Sequence, residues 1–226
     1  MGFPDAKGLD GTLARCLRGK GVRYRHIGRV DAAVSCFREA YGICQQLGDR
    51  KQKASINLSL SLCAIGRGDL SGATTLLDLA QNHFHPKYED WTNTLLIRAQ
   101  VELLQDSLDQ ARDFIVRAME NDEAHHGGRR RFAISNLRAD VEARTGNKQG
   151  VEIMLAEVTA REILPGQAEF LQFLKALRGQ AYYAGIAGDI DGSRAHAARA
   201  LLLASEAGSN DSYRKSLHIL KLGLLV

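Results

Sequence analysis

The feature that most constrains this 226-residue chain is a pattern that returns five times at nearly equal intervals. Three positions recur together: Ala33, Phe37 and Ala40; Ala73, Leu77 and Ala80; Ala111, Ile115 and Ala118; Val151, Leu155 and Val158; then Ser193, Ala197 and Ala200. Their first members are separated by steps of 40, 38, 40 and 42 residues. Shortly before each group stands a turn dipeptide, Gly28-Arg29, Gly68-Asp69, Asp106-Ser107, Gly146-Asn147 and Gly188-Asp189. A chain with such a period stacks copies of one supersecondary unit, because a single copy cannot bury its own apolar face.

Inside each copy the spacing is helical, since residues three, four and seven apart share one helix face. Between the breakers Ala, Leu, Arg, Glu and Gln dominate, and no segment shows the Val, Ile and Thr alternation of a sheet. Of the three prolines, Pro86 and Pro165 each stand just before an apolar-periodic stretch, where a helix can begin. Two antiparallel helices that cross closely need Gly or Ala at the crossing, and an aromatic or Leu then fills the gap to the next pair. At the far end, Asp211 to Leu225 reads as an amphipathic helix, with Tyr213, Leu217, Leu220 and Leu224 on the side that would cover the stack.

The first copy carries the fullest pattern: Leu17, Gly21, Tyr24, Gly28, Ala33, Phe37 and Ala40. On these residues the chain resembles the tetratricopeptide repeat superfamily over about residues 14 to 207, closely in the first copy and loosely in the others. Its steps exceed the usual repeat of about 34 residues. In this it is similar to the longer-helix variants found in the sensor arms of bacterial transcription regulators and in some motor adaptor chains. The resemblance implies an all-α fold, a right-handed solenoid of about five antiparallel helical hairpins over residues 14–48, 51–85, 88–125, 130–164 and 168–207. A tail (1–13) would precede the array, and a C-terminal capping helix (208–226) would close it.

In that superfamily the first helix of each hairpin lines a concave groove, so the register implies a binding surface. Carried onto this sequence, the first hairpin presents Arg15, Arg18, Val22 and Arg25, and the second Leu58 and Leu62, with Ser55 and Ser59 beside them. The third presents Asn93, Leu96 and Gln100, the fourth Asn136 and Asp140, the fifth Lys175, Arg178 and Tyr182. Amides at Asn93, Gln100 and Asn136 can hold an extended peptide by its backbone, and the leucines can take its apolar side chains. No acidic residue stands between Asp10 and Asp31, whereas Arg15, Arg18, Lys20, Arg23, Arg25 and Arg29 do, so the expected partner is a protein or peptide with acidic character.

Other chemistries are poorly supported. Cys16, Cys36, Cys44 and Cys63 lack the close pairs of a zinc site and the framework of a disulfide-rich domain, and read as free thiols. His83 and His85, like His125 and His126, read as parts of connecting loops without metal-ligand spacing. The run Arg129-Arg130-Arg131 has only Phe132 beside it for base stacking, which argues against nucleic acid. No nucleophile elbow, phosphate loop or metalloprotease motif occurs, so no enzyme and no cofactor is expected. No run approaches the roughly 18 apolar residues of a membrane span. Pro4, Asp5, Lys7 and Asp10 stand where a signal peptide would be apolar, and the expected compartment is the cytoplasm. Two function classes remain: an adaptor that binds a partner protein in the groove, and a regulatory sensor that answers a peptide or small effector.

Overall fold

A computed structural model describes residues 6–160, 163 and 170–208 of the chain, and among these residues every regular element is an α-helix. The helices pair in order. Hairpin one joins α1 (Ala6–His26) to α2 (Val30–Gln46), and hairpin two α3 (Arg50–Gly66) to α4 (Leu70–Gln81). Hairpin three joins α5 (Glu89–Leu104) to α6 (Leu108–His126). Hairpin four joins α7 (Arg131–Arg144) to α8 (Lys148–Thr159), and hairpin five α9 (Phe170–Ile186) to α10 (Ile190–Glu206). They fall into two compact units that part at Gly127–Gly128, with three hairpins in the first and two in the second. The residues expected to form the capping helix beyond Gly208, and Pro165, lie outside the described residues.

The turn inside each hairpin is built the same way. Gly28, Gly68, Asp106, Gly146 and Gly188 all take positive φ, between 62° and 87°. Glycine has no Cβ to clash in this left-handed conformation, and Asp is among the few other residues that tolerate it. The next residue caps the second helix. Asp69, Asn147 and Asp189 each accept a hydrogen bond through the side chain from the backbone N–H of Gly72, Gly150 and Gly192. A Cβ on Gly72 or Gly192 would come within 2.2 Å or 2.1 Å of the capping carboxylate, so cap and glycine belong together. Where Arg29 and Ser107 occupy the capping position no such bond forms, and the third helical residues there are Ala32 and Gln110.

The positions set by the repeat are the buried ones. Ala33, Ala73, Ala111 and Ala118 are fully enclosed, as are Phe37, Ala40, Leu77, Ala80, Ala197 and Ala200, and Ser193 is buried in the equivalent slot. The crossing of α1 and α2 shows why small residues are required: a Cβ on Gly21 would lie 2.6 Å from the Phe37 ring. In the second unit Phe173, Leu174 and Leu177 of α9 centre a core with Val151 and Leu155 of α8.

Two local expectations change. Residues from Ala6 onward are already helical, so the tail expected over 1–13 is largely the first turns of α1. His125 and His126 close α6 rather than lying in a loop, because that helix ends only at Gly127, whose φ of 61° provides the left-handed stop. His83 and His85 do lie in a connector, between α4 and α5.

Candidate functional site: the face of the first helices

In hairpin one, Arg15, Val22 and Arg25 lie with Arg18 along one side of α1. Arg15 is exposed and donates to Thr12 Oγ1 at 3.3 Å, while Arg18, Val22 and Arg25 are half-buried. The Nε atoms of Arg18 and Arg25 are buried and donate to nothing in the described protein. No carboxylate pairs with Arg15, Arg18 or Arg25 among the described residues. Burial disfavours the charged guanidinium of Arg25 and holds its pKa below the ordinary arginine value. The same burial pushes the thiols of Cys44 and Cys63 up, so both remain protonated and inert near neutral pH.

Hairpins two and three place their expected residues differently. Leu58 and Leu96 are buried, each at 8% or 7% exposure, so they pack against neighbouring helices rather than presenting a side chain. Leu62 and Asn93 are half-buried and Gln100 is exposed. A polar bridge joins the first helices here: Ser55 Oγ on α3 donates to Asp90 Oδ2 on α5 at 3.0 Å.

In the second unit the expected residues mostly satisfy one another. Asn136 is only 2% exposed, and its Nδ2 donates to the backbone oxygen of Gln172 at 3.1 Å and to Gln172 Oε1 at 3.2 Å. Its amide therefore ties α7 to α9 instead of waiting for a peptide. Lys175 Nζ donates to Asp140 Oδ2 at 3.2 Å, so a basic and an acidic residue of the expected groove form an ion pair. Arg178 is half-buried and engaged within the protein, and Tyr182 is half exposed, its ring edge-on to Tyr183 with centroids 5.3 Å apart. Leu58, Leu96, Asn136 and Arg178 share one register position with Arg18, so a charge stands there only in hairpins one and five.

The sequence register did not single out one cluster. Arg98 on α5 pairs with Asp78 on α4 and lies over the ring of Phe114 on α6, 5.6 Å from its centre, while Arg117 lies 5.3 Å from the same ring. This stack locks hairpin two to hairpin three. No group of three or more His, Cys, Asp or Glu residues suited to a metal is found among the described residues, and no described helix is long and apolar enough to cross a membrane.

Five like-built hairpins, each with a left-handed turn and a close small-residue crossing, define a helical-repeat protein of the tetratricopeptide-like fold. A crystal structure of nearly identical tetratricopeptide-like repeats, described as from a kinesin light chain of Podosopora anserina, is similar to this chain with a TM-score of 0.58. The match covers 88% of this chain and 97% of that one at 14% sequence identity, and establishes the shared fold. No protein-family model matches the sequence, and no curated protein matches it significantly.

Proposed function

We propose that the chain is an adaptor whose first hairpin binds an acidic segment of a partner protein along α1. The observation that carries this reading is the row of Arg15, Arg18 and Arg25, which has no carboxylate partner among the described residues and includes two buried, unsatisfied Nε donors. Burying a donor without an acceptor is costly, and a carboxylate laid along α1 would relieve that cost with charge-assisted hydrogen bonds. The tetratricopeptide-like fold commonly mediates protein-protein contacts, which supports a protein partner over a catalytic role. Val22, half-buried between the arginines, offers the same segment an apolar contact.

The test uses the full chain and a fluorescent peptide of alternating Glu and Leu. Wild type should bind it with an affinity that falls as salt rises, because screening acts over a Debye length of about 8 Å at physiological ionic strength. Arg18→Glu should weaken binding by about tenfold or more, equivalent to at least one 1.4 kcal/mol step. Arg38→Glu, an exposed site on α2 of the same hairpin, should change it little. Equal losses at both sites, or none at either, would remove the α1 face as the binding surface.

A further inference from the structure

Between hairpins four and five, within the second unit, lies a cleft of about 500 Å³. Val151, Leu155 and Ala156 of α8 and Ala184 of α9 give it apolar walls, and Gln180 and His196 place polar atoms along it. The repeat register shows why it is open. Counted from the left-handed turn residues, Gln180 holds the position of Arg98, His196 that of Phe114, and Ala156 that of Asp78. Between hairpins two and three those counterparts fill the gap with an aromatic ring, a guanidinium stacked on it and the carboxylate that pairs with the guanidinium. Between hairpins four and five the ring has become an imidazole, the guanidinium an amide and the carboxylate a methyl group, so matter is missing from a slot that the chain fills with itself elsewhere.

The polar atoms left in the cleft are unevenly satisfied. Gln180 Nε2 donates to Thr159 Oγ1 at 2.9 Å, but Gln180 Oε1 is buried and accepts no hydrogen bond from the described residues. A buried acceptor without a donor is costly, and a ligand that supplies the donor recovers that cost. Tyr183, which also lines the cleft, has its phenol pushed up to about 12, by burial first and then by the Asp140 carboxylate, and so keeps its proton. Burial likewise lowers the pKa of His196, with Arg199 acting in the same direction and the Asp189 carboxylate against it, and the net shift favours the neutral imidazole. Exposed Lys148, Glu152 and Asp189 also line the cleft, whereas its half-buried lining of Gln180, Tyr183 and His196 is neutral. That inner part suits a neutral guest, and the volume lies in the range of small-ligand sites.

We propose that this cleft binds a small, neutral ring compound bearing an N–H or O–H donor, the ring occupying the space that Phe114 and Arg98 fill in their own hairpins and the donor meeting Gln180 Oε1. Such a guest gives the chain a small-effector site in the second unit. It is independent of the α1 face, so failure of one proposal leaves the other standing.

Indole and benzofuran separate the two elements of the claim, since they share a shape and only indole carries an N–H. With the full chain, indole should saturate a single site in a calorimetric or methyl-resonance titration and bind about tenfold more tightly than benzofuran, the ratio expected for one hydrogen bond of about 1.4 kcal/mol. Gln180→Leu should erase that preference while benzofuran still binds. Ala156→Phe should abolish binding of both by filling the cleft, and His196→Phe, which restores the ring found at Phe114, should do the same should Ala156→Phe fail to fold. The proposal is overturned by equal binding of indole and benzofuran to wild type, by undiminished indole binding in the cleft-filled variant, or by shifts that never saturate.

Discussion

The first helices of the two units share one register, but α7 and α9 satisfy most of their polar side chains within the protein and α1 does not. Arg178 on α9, though engaged within the protein, also has its Nη1 buried without an acceptor among the described residues. On α1 the cations Arg18 and Arg25 keep buried Nε atoms without acceptors among the described residues, whereas on α7 and α9 the amide of Asn136 is spent on Gln172 and the charge of Lys175 on Asp140. The repeat therefore fixes where a side chain stands but not whether it is available. That depends on the residue offered by the next first helix: Gln172 and Lys175 of α9 answer Asn136 and Asp140, while among the described residues nothing acidic answers the arginines of α1. A face whose groups are mutually satisfied is a joint between hairpins, and the surplus charge on α1 is what supports the partner surface proposed there.

This contrast can be broken at several points. The largest effects should come from the shared scaffold: Phe37→Ala in the first unit should lower stability by about 3–5 kcal/mol and Leu177→Ala in the second by about 2–5 kcal/mol, since both side chains are fully buried. Urea unfolding followed by circular dichroism would read both, and a negligible cost at either site would mean that the two units are not built alike. A sharper comparison sets Asn136→Ala against Arg18→Ala. The first removes a buried amide that bridges α7 and α9 and should cost about 1–3 kcal/mol, whereas the second should fall within about 0.5 kcal/mol of wild type or stabilise. Matching losses would erase the distinction between joint and surface. The smallest effect belongs to Asp140→Ala, which breaks a partly exposed pair and should cost less than about 1 kcal/mol.

Much of the scaffold is legible in the sequence because it rests on local rules. Gly28, Gly68, Asp106, Gly146 and Gly188 mark left-handed turns that few other residues tolerate, and Ala33, Ala73 and Ala111 mark crossings that admit only small side chains. The binding face is less legible. Leu58, Leu96 and Asn136 follow the expected spacing, yet they are buried because successive first helices pack closely enough to enclose that position. The spacing of side chains along one helix carries no information about the depth of its neighbour. The stack of Arg98 on Phe114 and the cleft beside Gln180 were equally hidden, since each arises from residues on several helices that only the fold brings together. A signal was present in hindsight: the aligned slots carry Asp78, Arg98 and Phe114 in one copy and Ala156, Gln180 and His196 in another, a consistent loss of bulk.

The central claim is that charge on α1, and not the repeat scaffold, selects the partner. Exchanging the sign of that charge tests it most directly. Binding of a Glu-Leu and a Lys-Leu peptide would be measured by fluorescence anisotropy at low and physiological salt, for wild type and for the double variant Arg18→Glu with Arg25→Glu, after circular dichroism confirms equal helicity. Wild type should bind only the acidic peptide and the double variant should prefer the basic one, with both affinities falling as salt rises. An unchanged preference for the acidic peptide in the double variant would contradict the account and move the binding surface away from α1.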